Sequence, residues 1–466
     1  MTKPRRGDNV EGPTPLVRRT DLPEEGPMRT PSPRRRAAAG LTAAALLLAA
    51  CSARTTDPDS STADVSTATT VTMRVWDQSA ATAYAESFDA LTASHPDVRV
   101  KVEVVPRGDY DARAAEDLAA GTMSDVFWAD PALTAEDEAA DRLVDVGKLL
   151  GDEEDGWEPA VTGLFATDGT VWGVPQQWQA PALYYDAALT GPAGVDPARL
   201  TWAPGGGEGD ALADAARALT SDGAGRHPGD PGFDAGAAAT FGINAGPHLL
   251  DVVAPFLAAN GARLLADGRF AFATPEGAEA VQYLVDLVRT GAAPPVGGAP
   301  ALDLFRQGRL ALLQASSADL PALTERAADL RVAPMIAGPQ GRAGVLDAVA
   351  AVGNADSKHP GAVETVLEWL GTAEGQAALA SRGLGVPAAV AAQDAYVKRW
   401  ERRGVDVRPV LTAAREPVLA LPAGPHAGAA TAAVEQALAR VFRGELPVAE
   451  GLREAQDAGN TALDGK

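Results

Sequence analysis

Between Val71 and Trp128 the apolar residues switch repeatedly between a period of two and the helical period, and this alternation narrows the fold more than any other feature of the chain. Val71, Met73 and Val75 alternate with Thr72, Arg74 and Trp76, while Val98, Val100, Val102 and Val104 alternate with Arg99, Lys101 and Glu103, so each run sorts its residues onto two faces of an extended strand. Between the strands Tyr84, Phe88 and Leu91 recur at helical spacing, and His95-Pro96 ends that helix because the residue before a proline avoids helical angles. A second helical stretch near Asp111 to Ala120 stops at Gly121, and Asp125-Val126-Phe127-Trp128 forms another short strand. The β-α-β-α-β order predicts a mostly parallel sheet with helices on its faces. Thr274-Pro275 then caps a helix with Val281, Leu284, Val285 and Val288 on one stripe, and Pro360 opens another with Val363, Val366, Leu367 and Leu370. Pro204 to Gly209 and Ser221 to Gly236 read as surface loops, and there is no internal repeat.

The chain has 466 residues and one cysteine, so no intramolecular disulfide holds it together and two ordinary hydrophobic cores must do so. That cysteine closes the run Leu48-Ala49-Ala50-Cys51, which follows Arg34-Arg35-Arg36 and the apolar stretch Ala37 to Ala50. The stretch has the length of a signal-peptide core and falls short of the roughly 20 residues a spanning helix needs. The layout is that of a bacterial lipoprotein signal over residues 1–50, with Cys51 lipidated as the mature N-terminus; Met28 offers an alternative start. Lipid on Cys51 would moor the protein to the membrane, since two acyl anchors give stable attachment. The paired arginines leave twin-arginine export open beside the general route. Residues 51–70, rich in Ser, Thr, Asp and Ala, read as a flexible tether.

Composition excludes several partners. Lys and Arg number 40 against 62 Asp and Glu, a formal net charge of −22, and nine of those cations lie in the first 50 residues. Nucleic acid rewards clustered cations through counterion release, so it is not a partner. The acidic runs Glu136-Asp137-Glu138 and Asp152 to Asp155 lack the spaced oxygens and central glycine of an EF-hand. The histidines, at positions 95, 227, 248, 359 and 426, have no metal-ligand spacing, and no phosphate loop is present, so no metal and no cofactor is expected.

Five segments, taken in order, resemble the sugar-binding extracellular solute-binding proteins (family 1) of ABC transporters: Val71 to Asp77; Asp117 to Thr122 followed by Asp125 to Trp128; Gly169 to Asp186, with Trp172-Gly173-Val174-Pro175 and Ala182-Leu183-Tyr184-Tyr185-Asp186; Phe305 to Leu312; and Ser357 to Pro387. The resemblance implies an α/β, two-lobed periplasmic-binding-protein-like fold (type II), each lobe a mostly parallel sheet flanked by helices, with the ligand cleft between lobes. Lobe 1 would comprise residues 71–179 and 343–387, and lobe 2 residues 180–342 and 388–466, with hinge crossings near Gln179 to Ala182 and near Ala343 to Asp347. It further implies a lipid-anchored monomer on the outer face of the cell membrane that closes on a sugar or oligosaccharide and delivers it to the transmembrane subunits of an ABC permease, without acting as an enzyme.

Carbohydrate sites combine flat rings with a few carboxylates and amides, and ligands of open α/β sheets bind beyond the carboxyl ends of strands. Trp76, Trp128 and Trp178 fall at such ends, beside Asp77, Gln78, Asp130 and Gln177, and these seven are the expected ligand contacts. Trp128 also continues a strand, so core packing competes with its site role. Trp157, Trp202 and Trp369 are assigned to packing or to the surface. Where family members commonly carry a stacking Trp after the strand that follows Phe305, this chain reads Ala315-Ser316-Ser317-Ala318-Asp319. Ser316, Ser317 and Asp319 would hydrogen-bond the sugar there instead, which separates this site from one for long maltodextrins.

Two alternatives compete. The Tyr184-Tyr185 pair suggests a ferric-ion binder, although period 2 sends neighbouring strand residues to opposite faces. A glycosidase would use two carboxylates about 5 to 10 Å apart, such as Asp77 and Asp130. No Gly-x-Ser-x-Gly motif or Ser/His/Asp order supports hydrolysis.

Overall fold

The computed structural model describes residues 68–465 apart from 135–141, 152–155, 208, 326–328, 423 and 425. The signal, Cys51 and all but the last three tether residues lie outside the described residues.

Strand β1 (Thr69–Val75) buries Val71, Met73 and Val75 completely, as its alternation requires. Helix α1 (Gln78–Ser94) starts where the Asp77 carboxylate accepts from the Ala80 N–H at 2.7 Å, and it stops at His95. β2 (Val98–Val104) lies parallel to β1 and forms the sheet edge, which is why only Val98 of its valines is fully buried. Helix α2 (Arg107–Ala120) ends on Gly121, whose φ of 68° a residue with a Cβ adopts only with strain. β3 (Val126–Ala129) returns parallel to β1 on its other side.

Past β3 the topology departs from a parallel sheet. The strand Asp347–Gly353 enters antiparallel to β3, Val174–Gln179 lies antiparallel to that, and Val386–Pro387 completes six strands. The second sheet has five strands in the spatial order Leu330–Ala333, Pro181–Asp186, Leu310–Ser316, Ala238–Ile243 and Ser221–Asp222, and only the Leu310–Ser316 and Ala238–Ile243 pair is parallel. Both sheets are therefore mixed rather than mostly parallel. Strands arriving from the other lobe do not come through a local helical crossover, which is what enforces parallel pairing. Ser221–Asp222, expected in a loop, forms the edge of this sheet.

The chain passes from the first sheet to the second at Ala180, between Gln179 and Pro181, and returns over residues 334–346. Each sheet has its own apolar core. A third cluster joins them behind the crossings: Trp178, Ala348, Ala350 and Val386 from the first sheet pack with Tyr184, Leu310 and Leu313 from the second, and with Tyr396 and Trp400 from the tail. Of that tail, helix Gln393–Glu401 packs on helix Ala373–Arg382, whereas the antiparallel pair Ala427–Phe442 and Val448–Leu463 packs on the second core. Among the described residues no helix is long and apolar enough to cross a membrane.

Candidate functional site

The carboxyl end of β1 delivers Trp76, a half-buried ring standing edge-on to Tyr110 (centroids 4.9 Å apart) and to Trp128 (4.8 Å). The first residue of α2 places the Arg107 guanidinium over Trp76, its carbon 4.6 Å from the ring centroid. Arg107 donates to Asp130 at 3.0 Å and is also paired with Asp111. Asp130 follows β3, so these groups gather at the ends of neighbouring strands, where the helices leave open space.

Asp347, the first residue of the returning strand, is close enough to Asp130 and Arg107 to feel both charges. Its side chain is open to solvent. Confinement and the Asp130 charge raise its pKa, and Arg107 opposes them. From the second sheet come Asp251 and Asp319. Asp251 rides on a single π-helical turn, Leu249–Val253, a rare element often found at functional sites, and the Glu435 carboxylate accepts from the Leu249 N–H at 2.8 Å to cap that turn. Burial pushes the Asp251 carboxyl up to about 6, with Asp319, Glu435 and Asp347 adding to the effect and His248 opposing it. Burial also raises Asp319. Asp347 thus stands within electrostatic reach of Asp130 on one sheet and Asp251 on the other.

Near the ends of the parallel strands Ala238–Ile243 and Leu310–Ser316, Asn244 and Gln314 clamp each other. Gln314 N–H donates to Asn244 Oδ1 at 2.7 Å, Asn244 Nδ2 donates to the Gln314 carbonyl at 2.9 Å, and Gln314 Nε2 donates to the Asn244 carbonyl at 3.0 Å. Gln314 Oε1 is buried without a partner.

The expected contacts separate into groups. Trp76 and Asp130 are both held by Arg107, and Asp319 stands within electrostatic reach of Asp251. Trp128 and Trp178 are 1% and 0% exposed and belong to the cores. Trp178 was expected to stack on ligand, but its strand is hydrogen-bonded on both sides and its ring fills the apolar cluster behind the crossing. Gln177 is buried as well, its side chain against Gly385. Asp77 is committed to the α1 cap, and Gln78 lines the groove between α1 and β2 with Ala81, Val102 and Val104. Ser316 accepts from the Ala318 N–H at 3.2 Å, and the buried Ser317 bonds to Ala180. Sequence reasoning missed Arg107, Asp251 and Asp347; an acid inside the apolar run Leu249 to Val253 was the visible signal for Asp251.

Tyr184 is fully buried and Tyr185 is half-buried beside the other core, so the pair does not converge on one ion. Among the described residues no group of three His, Cys, Asp or Glu side chains is placed to hold a metal. A concavity of about 1000 Å³ lies elsewhere, lined by Asp210, Gln282, Tyr283 and Arg289, with no residue of the first sheet.

Residues 76–377 match the family model of the bacterial extracellular solute-binding proteins. The chain belongs to that family. UspC of Mycobacterium tuberculosis, in a monoclinic crystal form, shares 37% identity over 84% of this chain and 100% of its own, with a TM-score of 0.77. The cyclic α-maltosyl-1,6-maltose binding protein of Arthrobacter globiformis (22% identity, 86% and 100% covered, TM-score 0.69) and the GacH receptor of Streptomyces glaucescens, solved unliganded and with acarbose (19%, 85% and 98%, 0.65), share the two-lobed fold. No curated protein shows a matching sequence. The members of this family are binding proteins.

Proposed function

We propose that this solute-binding protein is the extracytoplasmic receptor of an ABC importer, holding a sugar or short oligosaccharide between its lobes and passing it, chemically unchanged, to a membrane permease. The observation that carries this reading is that Asp347 stands within electrostatic reach of Asp130 and Arg107, beside the half-buried Trp76, and of Asp251, which Asp319 also reaches, on the segments of the second sheet. Trp76 offers a ring to a sugar face, and the carboxylates accept from hydroxyls, a charge-assisted bond contributing about 1.5–3 kcal/mol. Because the acids sit on opposite lobes, a guest that bonds to both shifts the population toward closure by its differential affinity for the closed form. The sugars named with the Arthrobacter and Streptomyces proteins support the class. The short side chains at Ser316 and Ser317 leave the second lobe without a stacking ring at that position, which favours a small guest.

In the same reading the lobes divide into 71–179 with 343–387 and 180–342 with 388–466, although helix Gln393–Glu401 keeps company with the first. Cys51 carries the lipid that keeps the monomer at the outer face of the membrane. Calorimetric titration of the protein with a carbohydrate panel tests the function: saturable binding of an unmodified sugar, weakened in Trp76→Ala, is expected. Binding of no panel member, or release of cleaved product, would overturn it.

A further inference from the structure

Behind Trp76 runs a polar chain that the proposed contacts do not use. The Trp128 indole Nε1–H donates to the Tyr84 hydroxyl at 2.9 Å, and that hydroxyl donates to Gln176 Oε1 at 2.9 Å. Gln176 Nε2 donates to the carbonyls of Val174 and Leu370, each at 3.1 Å. The direction of the chain is determined throughout: an indole can only donate, and the Gln176 amide nitrogen is committed to carbonyls, so the phenol must accept on one side and donate on the other. Trp128, Tyr84 and Gln176 are sealed from solvent. Burial holds the Tyr84 phenol far above its ordinary pKa, so it keeps its proton wherever the fold survives.

The two ends of this chain differ. At one end Trp128 backs the Trp76 ring, 4.8 Å away at 70°. At the other, Gln176 lies on Val174–Gln179, the strand that continues through Ala180 into the second sheet. The Tyr84 ring stacks on Phe88 within the first core, and only its hydroxyl reaches the crossing strand, through Gln176.

We infer that Tyr84 is a positioning residue for ligand binding, its hydroxyl setting the indole against which Trp76 stands and tying that support to the crossing strand. This rests on Trp76 being the stacking ring of the proposed sugar site. With Phe at position 84 the ring volume stays, but one donor and one acceptor lose their partner in a dry place, and the support of Trp76 loosens.

The test uses the whole protein labelled with 5-fluorotryptophan, its resonances assigned by single Trp→Phe variants. In Tyr84→Phe without ligand, the Trp76 resonance is expected to shift or broaden along with that of Trp128, while Trp202 and Trp400 stay in place. An unmoved Trp76 resonance would overturn the inference. Gln176→Met, which removes the other partner of the hydroxyl, should displace the same two signals. Whichever of maltose, trehalose, cellobiose and lactose gives the largest thermal shift is then titrated. Tyr84→Phe should weaken it by about 5- to 30-fold, and that penalty should vanish in a Trp76→Ala background because the effect passes through Trp76. Equal penalties in both backgrounds would make Tyr84 merely structural. If none of the four sugars binds, the sugar reading suffers and the resonance measurement still decides the role of Tyr84.

Discussion

Ser317 and Ala180 are bonded to each other twice at the point where the chain passes between its sheets: the Ser317 N–H donates to the Ala180 carbonyl at 2.9 Å, and the Ala180 N–H donates to Ser317 Oγ at 3.2 Å. A connection that must bend cannot rely on a sheet ladder alone, and here one buried hydroxyl satisfies a backbone donor that has left the first sheet. Ser317→Ala should orphan that donor and cost about 1–3 kcal/mol. Urea unfolding measures the cost, and an unchanged midpoint would show that another acceptor takes over.

Trp76 and Trp178 should respond oppositely. Trp178→Ala leaves a cavity in the cluster that joins the lobes, and about 3–5 kcal/mol of stability should go with it. Trp76→Ala, at a half-buried position, should leave unfolding close to that of the parent and weaken sugar binding by about tenfold or more, roughly 1.4 kcal/mol. Melting curves and calorimetry on both variants check the contrast; loss of stability from Trp76→Ala alone would reverse the assignment.

Asp251 gives a pH signature. Its carboxyl titrates at about 6 in the folded chain against an ordinary 3.8, with burial as the main cause. Between those values the folded state holds a proton that the unfolded state has lost, so the stability attached to this group falls as pH rises from about 4 to about 6 and is level above. Asp251→Asn should therefore be more stable than the parent at pH 7, by up to about 3 kcal/mol, with the two converging toward pH 4. Denaturation curves at several pH values decide it, and a constant difference across the range would count against the raised pKa.

Gly344 lies on the return crossing with no room for a side chain: a Cβ there would sit 2.2 Å from the Ala413 carbonyl oxygen. Its N–H donates to the Pro417 carbonyl at 3.0 Å, and its own carbonyl accepts from the Leu419 N–H at 2.9 Å, so the backbone cannot easily withdraw. Gly344→Ala should cost about 1–3 kcal/mol by overpacking. A melting temperature equal to that of the parent would mean the tail shifts freely.

Cys51→Ser in the producing cell should move the protein from the membrane fraction to the medium or periplasm, because the lipid anchors would be gone. Fractionation and immunoblotting read this directly, and unchanged membrane association would remove Cys51 as the anchor.

Much of the first lobe is legible without a structure. The period-2 runs at Val71 to Val75 and Val98 to Val104, the helical stripe between them and the stop at His95-Pro96 are local matters, set by side-chain spacing and by proline sterics, and they appear as β1, α1 and β2. The Thr274-Pro275 cap is equally local, its hydroxyl accepting from the Gly277 N–H at 3.1 Å. Trp178 was not legible as a core residue: its neighbours in sequence are polar glutamines, and only pairing with Asp347–Gly353 on one side and Val386–Pro387 on the other shows that its ring is enclosed. Arg107 and Asp347 escaped notice because each is an ordinary charged residue in its own segment, and Asp251, although an acid in an apolar run, carries no local sign of which distant segments are folded beside it.

By itself the sequence determined the alternation of strands and helices, the membership of a two-lobed binding family and the aromatic at the end of β1, since periodicity, capping and motif order act over a few residues at a time. Tertiary structure alone decided which strands run antiparallel, which tryptophans are walled in and which acids face one another, because those depend on where the chain crosses between its sheets. Burial and electrostatic proximity belong to pairs of segments far apart in the chain, so a carboxylate such as Asp251 acquires its raised pKa only once Asp319, Glu435 and Asp347 have been folded around it.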